Sequence, residues 1–183
     1  HYWKSDRGSS DVILFTGDSQ PSTSESNYTL SEYVVERAVD YNAKLLVTLG
    51  AYVTGTFVET PKVFAVGTDI PITTRLKDAG CTMMNDGGIT GMNGILLGMA
   101  KLKGIPGFTL LGETSGLVFD PKASGVILLS LSKLLGIPLD MKKLEQRARE
   151  AQEVMSAIEE LRSRGAPESG SDRAERKRLD YIS

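Results

Sequence analysis

The chain has 183 residues, 40% of them hydrophobic and 24% charged, a formal net charge of −2 and one cysteine. That balance suits one domain with a sizeable core. It excludes a global electrostatic pull toward nucleic acid or an anionic membrane surface, and it excludes an intrachain disulfide. No apolar run reaches the ~18 residues of a membrane span, and a lone thiol suits a reducing, cytoplasmic setting.

The chain opens on HYWKSDRGSSDVILFTGD, without a methionine and inside what reads as a strand. An N-terminal portion is therefore expected to precede it. HYWK and DVILFTGD predict a hairpin across SDRGSS. Residues 29–42 carry Leu30, Tyr33, Val34, Ala38 and Tyr41 at helical spacing. AKLLVTLG and PKVFAVGTD follow as apolar strands. IPITTRLKDAG predicts a short helix with Pro71 in its first turn and Gly80 at its end. CTMMN is a weak strand, and the Gly-rich loop before Met92 leads into a helix over residues 92–103. IPGFTLLGET is a strand, and DPKASGVILLSLSKLLG is a helix with Asp120 as N-cap and Pro121 at the first position.

Uninterrupted apolar strands favour a sheet covered on both faces. The expected fold is a three-layer α/β/α sandwich with a mostly parallel sheet over residues 1–139. Asp140 then caps a long helix over residues 140–163, and residues 164–183 form a flexible tail with an apolar tip. In that helix Met141, Leu144, Ala148, Ala151, Met155 and Ile158 step by three and four, a heptad seam. The seam either packs on its own domain or pairs with another subunit in a homo-oligomer. At the tip, Leu179, Tyr181 and Ile182 follow a stretch with nothing apolar larger than alanine.

Chemistry-bearing groups are few. Asp18, Asp69, Asp86 and Glu113 stand near the predicted carboxyl ends of strands, where ligands of open α/β sheets bind. Four acids on one rim suit a metal or general acid–base work. The plainer account gives Asp69 to a helix cap and Asp18 to a turn. NDGGITGMNG before a helix resembles a phosphate cradle in kind, yet lacks the Gly-Lys-Ser/Thr of a Walker loop and the spacing of a dinucleotide loop. The single histidine is His1, so no base is at hand for a Ser or Cys nucleophile, and Cys81 reads as a small buried residue. No His/Cys metal cluster, cofactor motif or catalytic residue emerges.

Residues 11–55, DVILFTGDSQPSTSESNYTLSEYVVERAVDYNAKLLVTLGAYVTG, look like the central part of the proteasome assembly chaperone 2 family in its archaeal form. GITGMNGILLGMAKLKGIPGFTLLGET and DPKASGVILLSLSKLLGIPLDMKKLEQRA are similar to its second half, and the resemblance runs from about Tyr2 to Ile158. It implies a phosphorylase/hydrolase-like sandwich, homo-oligomers with or without a paralogue, and an ATP-independent, non-enzymatic chaperone of proteasome α-ring assembly. Relatives are sometimes labelled ATP-grasp proteins, but nothing in these residues supports ATP use. Archaeal members can end in a hydrophobic–tyrosine–any-residue tail that docks between proteasome α subunits. Here Tyr181 is third from last and follows Asp180, so LDYIS departs from the strict form; Leu179, Tyr181 and Ile182 are the expected anchors. The alternative is a nucleoside phosphorylase- or hydrolase-like enzyme using the acidic rim. A third possibility is an oligomer built on the Met141–Ile158 seam with no proteasome link.

Overall fold

The computed structural model describes residues 1–4, 11–56, 58–84, 88–116, 120–146 and 149–150. The expected hairpin forms between β1 (Tyr2–Trp3) and β2 (Val12–Ile13), antiparallel, with Tyr2 opposite Ile13. Helix α1 (Ser24–Asp40) starts ahead of the predicted residue 29. Thr23 is extended and its Oγ1 accepts the Ser26 amide at 3.1 Å, so the polar first turn is capped locally rather than left as loop.

β3 (Leu46–Val53) runs through Ala51-Tyr52-Val53, beyond the predicted strand end. β4 (Val63–Gly67) leads into α2 (Ile70–Asp78), whose Ile72 amide donates to Asp69 Oδ1 at 2.9 Å. The weak strand shrinks to β5 (Thr82–Met83). α3 (Met92–Leu102) and β6 (Gly107–Thr114) follow. α4 (Pro121–Leu135) opens on the Asp120 cap and closes on Gly136 at φ 66°, the left-handed position that glycine tolerates. Residues 142–146 and 149–150 are helical, and the Lys142 amide donates to Asp140 Oδ1 at 3.0 Å.

The larger sheet has the order β3-β6-β4-β5. β3–β6 and β4–β5 are parallel pairs, and β4–β6 is antiparallel, so the sheet is mostly parallel with one reversal at its centre. Helices cover both faces, which gives the three layers. On one face α2 and α4 bury Ala65, Leu76, Phe108 and Leu110, each at most 1% exposed. On the other, α3 lies on β3 and β6, and α1 packs on α3 through Val35, Met92 and Leu96. β6 is buried on both faces along most of its length. Gly112 lets α4 approach it, because a Cβ there would stand 2.8 Å from the Ala123 carbonyl oxygen.

α2 and α4 also cap each other. Arg75 donates to the Leu134 carbonyl at 2.9 Å, and Lys133 to the carbonyls of Asp78 and Ala79 at 3.3 Å. Each helix thus places a cation at the other's carboxyl end, where the dipole favours it.

Candidate functional site

The sequence places Asp18, Asp69, Asp86 and Glu113 on one rim, and the structure sets Asp69 and Glu113 apart. β4 runs against β6, so the carboxyl end of β4 lies beside the amino end of β6, with Gly67 opposite Phe108. Asp69 therefore sits at the end of the sheet opposite Glu113, five residues farther along β6 than Phe108, or about 17 Å at strand rise. Apolar strand runs record burial but not direction, which is why the sequence suggested one acidic rim. Asp86 lies outside the described residues, and Asp18 is exposed in a bend.

The two remaining carboxylates have structural partners. Asp69 caps α2 and accepts the Thr68 hydroxyl at 3.1 Å. Glu113 Oε2 accepts the Lys62 amide at 3.0 Å, and the Glu113 amide donates to the Lys62 carbonyl at 2.9 Å, which pins the start of β4 to β6. Beside them Tyr52 stacks on Phe64 with ring centroids 4.1 Å apart. Asp120 takes the Ala123 amide at 3.0 Å and the Thr114 hydroxyl at 2.9 Å, joining β6 to α4. Among the described residues no three His, Cys, Asp or Glu side chains converge as metal ligands.

The phosphate-cradle segment has its own occupant. Gly91 precedes α3 at φ 70°, and the Met92 amide donates to Gln20 Oε1 at 3.0 Å. The position where an anion would meet α3 is thus filled by a neutral amide 72 residues away. A Cβ on Gly91 would stand 2.7 Å from that same oxygen. Next to it Asn93 Nδ2 donates to the Leu49 carbonyl at 3.1 Å. Gln20 was invisible as a cap in the sequence, because nothing local links it to residue 92.

Cys81 is buried in the α2/α4 core. Burial pushes its thiol above the usual range, with a Ser130 hydrogen bond and the nearby Lys133 charge acting in the opposite direction. A thiol held neutral in this way is a poor nucleophile, consistent with a packing role.

Of the seam, Met141 and Leu144 fall in the described part, both half-buried, and Leu144 Cδ2 lies 3.5 Å from where a Gly125 Cβ would stand on α4. Ala148, Ala151, Met155 and Ile158 lie outside the described residues, as do the tail residues Leu179, Tyr181 and Ile182. Among the described residues no helix is long and apolar enough to cross a membrane.

The pattern of the PAC2 family matches residues 1–159. The crystal structure of Pyrococcus furiosus PbaB, an archaeal proteasome activator, superposes with a TM-score of 0.78 at 31% identity, covering 86% of this chain and 69% of that one. Pyrococcus furiosus PbaA, an archaeal homolog of proteasome-assembly chaperone, superposes with a TM-score of 0.69 at 26% identity over 85% of this chain and 64% of that one. An uncharacterised protein of Methanocaldococcus jannaschii is 33% identical over 151 residues, 82% of this chain and 58% of its own length. A second from the same organism is 28% identical over 72% of this chain and 52% of its own. The chain thus spans a little over half the length of these curated relatives.

Proposed function

The chain belongs to the PAC2 family, and from that premise we propose that it acts as a non-enzymatic, ATP-independent proteasome-assembly chaperone that binds proteasome α subunits, partly through its C-terminal tail. The observation that carries this reading is the match to PbaB over 86% of the chain, a relative described as an archaeal proteasome activator. The roles of the acidic residues support it: Asp69, Asp120 and Glu113 are engaged with backbone amides, and Gln20 accepts the amide at the head of α3. Those residues serve the scaffold rather than a substrate.

Leu179, Tyr181 and Ile182 supply the contact. A short apolar tip on a polar linker binds weakly, by a few kcal/mol at most, and gains from effective concentration when several tails on one homo-oligomer reach neighbouring sites. The Met141–Ile158 seam is the proposed oligomer interface, and the protein is proposed to work in the cytoplasm.

The test mixes the protein with archaeal proteasome α subunits, and separately with the assembled core particle, and follows co-elution against a version ending at Lys177. Binding by the longer protein and loss in the shorter one is expected. Equal binding by both would remove the tail from the mechanism, and binding by neither would remove the proteasome.

A further inference from the structure

Of the four asparagines in the sequence, Asn93 alone is followed by glycine. Asparagine is a chemically labile residue, and a glycine after it leaves its own backbone nitrogen unshielded toward the asparagine side chain. The Asn93–Gly94 step is therefore the point of this chain most prone to lose a side-chain amide. It stands in the first turn of α3.

Packing demands both residues. A Cβ at Gly94 would stand 2.1 Å from the Ile89 carbonyl oxygen, so a larger residue does not fit there. Asn93 Nδ2 donates to the Leu49 carbonyl at 3.1 Å and ties the head of α3 to β3. Gly50 makes room for that bond, because a Cβ there would stand 2.8 Å from the same nitrogen. One residue earlier, the Met92 amide is held by Gln20.

The same contacts keep the step inert. In deamidation the Gly94 backbone nitrogen attacks Cγ of Asn93. The N–Cγ bond forms, the Cγ–Nδ2 bond breaks, and Nδ2 leaves as ammonia with the proton of the Gly94 amide. Water then opens the five-membered imide at one of its two carbonyls, leaving aspartate or isoaspartate at position 93. Attack needs the nitrogen brought onto Cγ in a near-attack geometry. Helical backbone at Asn93 turns the Gly94 nitrogen away from Cγ, and the bond to Leu49 fixes the side chain. Ring closure thus requires the head of α3 to open first.

We propose that Asn93 is a deamidation site held shut by the head of α3 and modified in chains whose α3 head has opened. The change is one-way. Either product lacks the Nδ2 donor and carries a carboxylate, which only accepts hydrogen bonds and is repelled by the Leu49 carbonyl. Isoaspartate also adds a methylene to the backbone of the first turn. A chain that has opened and reacted no longer recloses on β3.

Peptide mapping by mass spectrometry tests this on the whole protein, incubated at mildly alkaline pH either folded or in urea. The folded protein should convert residue 93 at least about tenfold more slowly than the unfolded chain, because local opening limits the reaction. Gln20→Ala, with circular dichroism confirming its fold, should speed conversion in the folded protein several-fold and leave the rate in urea unchanged. Isoaspartate, separated chromatographically from aspartate, should form part of the product, as ring opening requires. Equal rates for the folded and unfolded protein would overturn the proposal. So would a folded rate indifferent to Gln20→Ala, no conversion in urea, or a product free of isoaspartate.

Discussion

Thr48 and Thr109 share a hydrogen bond of 2.7 Å between their hydroxyl oxygens, 61 residues apart in sequence, on neighbouring strands and at most 6% exposed. The pair ties β3 to β6 inside the sheet, and each hydroxyl has the other as its partner. Replacing Thr109 alone with Val should cost about 1–3 kcal/mol by leaving the Thr48 oxygen unpaired, whereas Thr48→Val/Thr109→Val should cost less than the single change. Denaturant unfolding of Thr48→Val, Thr109→Val and the double variant gives the coupling directly; additive losses would mean the bond contributes nothing.

Ser31 shows the opposite case. Its hydroxyl is fully buried on the α3 side of α1 and has no partner. Ser31→Ala should therefore raise stability by about 1 kcal/mol, since the alanine removes an unpaired polar group and favours the helix. A loss of stability in urea unfolding would show that the hydroxyl is satisfied in solution.

Gln20 and Gly91 should be coupled. Gln20→Ala removes the cap on Met92 and should cost about 1 kcal/mol. Gly91→Ala should cost about 1–3 kcal/mol through its positive φ and its contact with Gln20. With Gln20 already alanine, the second change should cost less, because only the backbone strain remains. Thermal unfolding of the cycle measures the difference.

The seam is tested by Ala148→Glu/Ala151→Glu. Dissociation to monomers with an unchanged circular dichroism spectrum is the expected outcome, read by light scattering. An unchanged mass would place the whole seam on its own domain, as Leu144 already lies against Gly125.

Nucleosides and inorganic phosphate should leave the melting temperature unchanged. A ligand at a hundred times its Kd would add about 2.7 kcal/mol, or several degrees. A rise abolished by Glu113→Gln or Asp18→Asn would restore the acidic rim as an enzyme site.

Much of the local structure was legible before any fold was known. Asp69 and Asp120 cap helices as their sequence context implies, since a cap acts on amides two or three residues away. Gly136 ends α4, and Met92 begins α3, where the periodicity put them. The Thr23 cap was missed because Ser, Asn and Thr in a first turn read equally well as loop. Gln20 could not have been found, because its partner is 72 residues distant.

The sequence by itself determined the element types, most of their boundaries, and the three-layer class, because spacing of apolar residues reports which faces are covered. It also carried the family resemblance. Only the tertiary structure decided that β4 runs against β6, that Asp69 and Glu113 stand at opposite ends of the sheet, and that Gln20 occupies the head of α3. Strand direction and long-range capping arise from packing between segments far apart in the chain, and an apolar run looks the same in either direction.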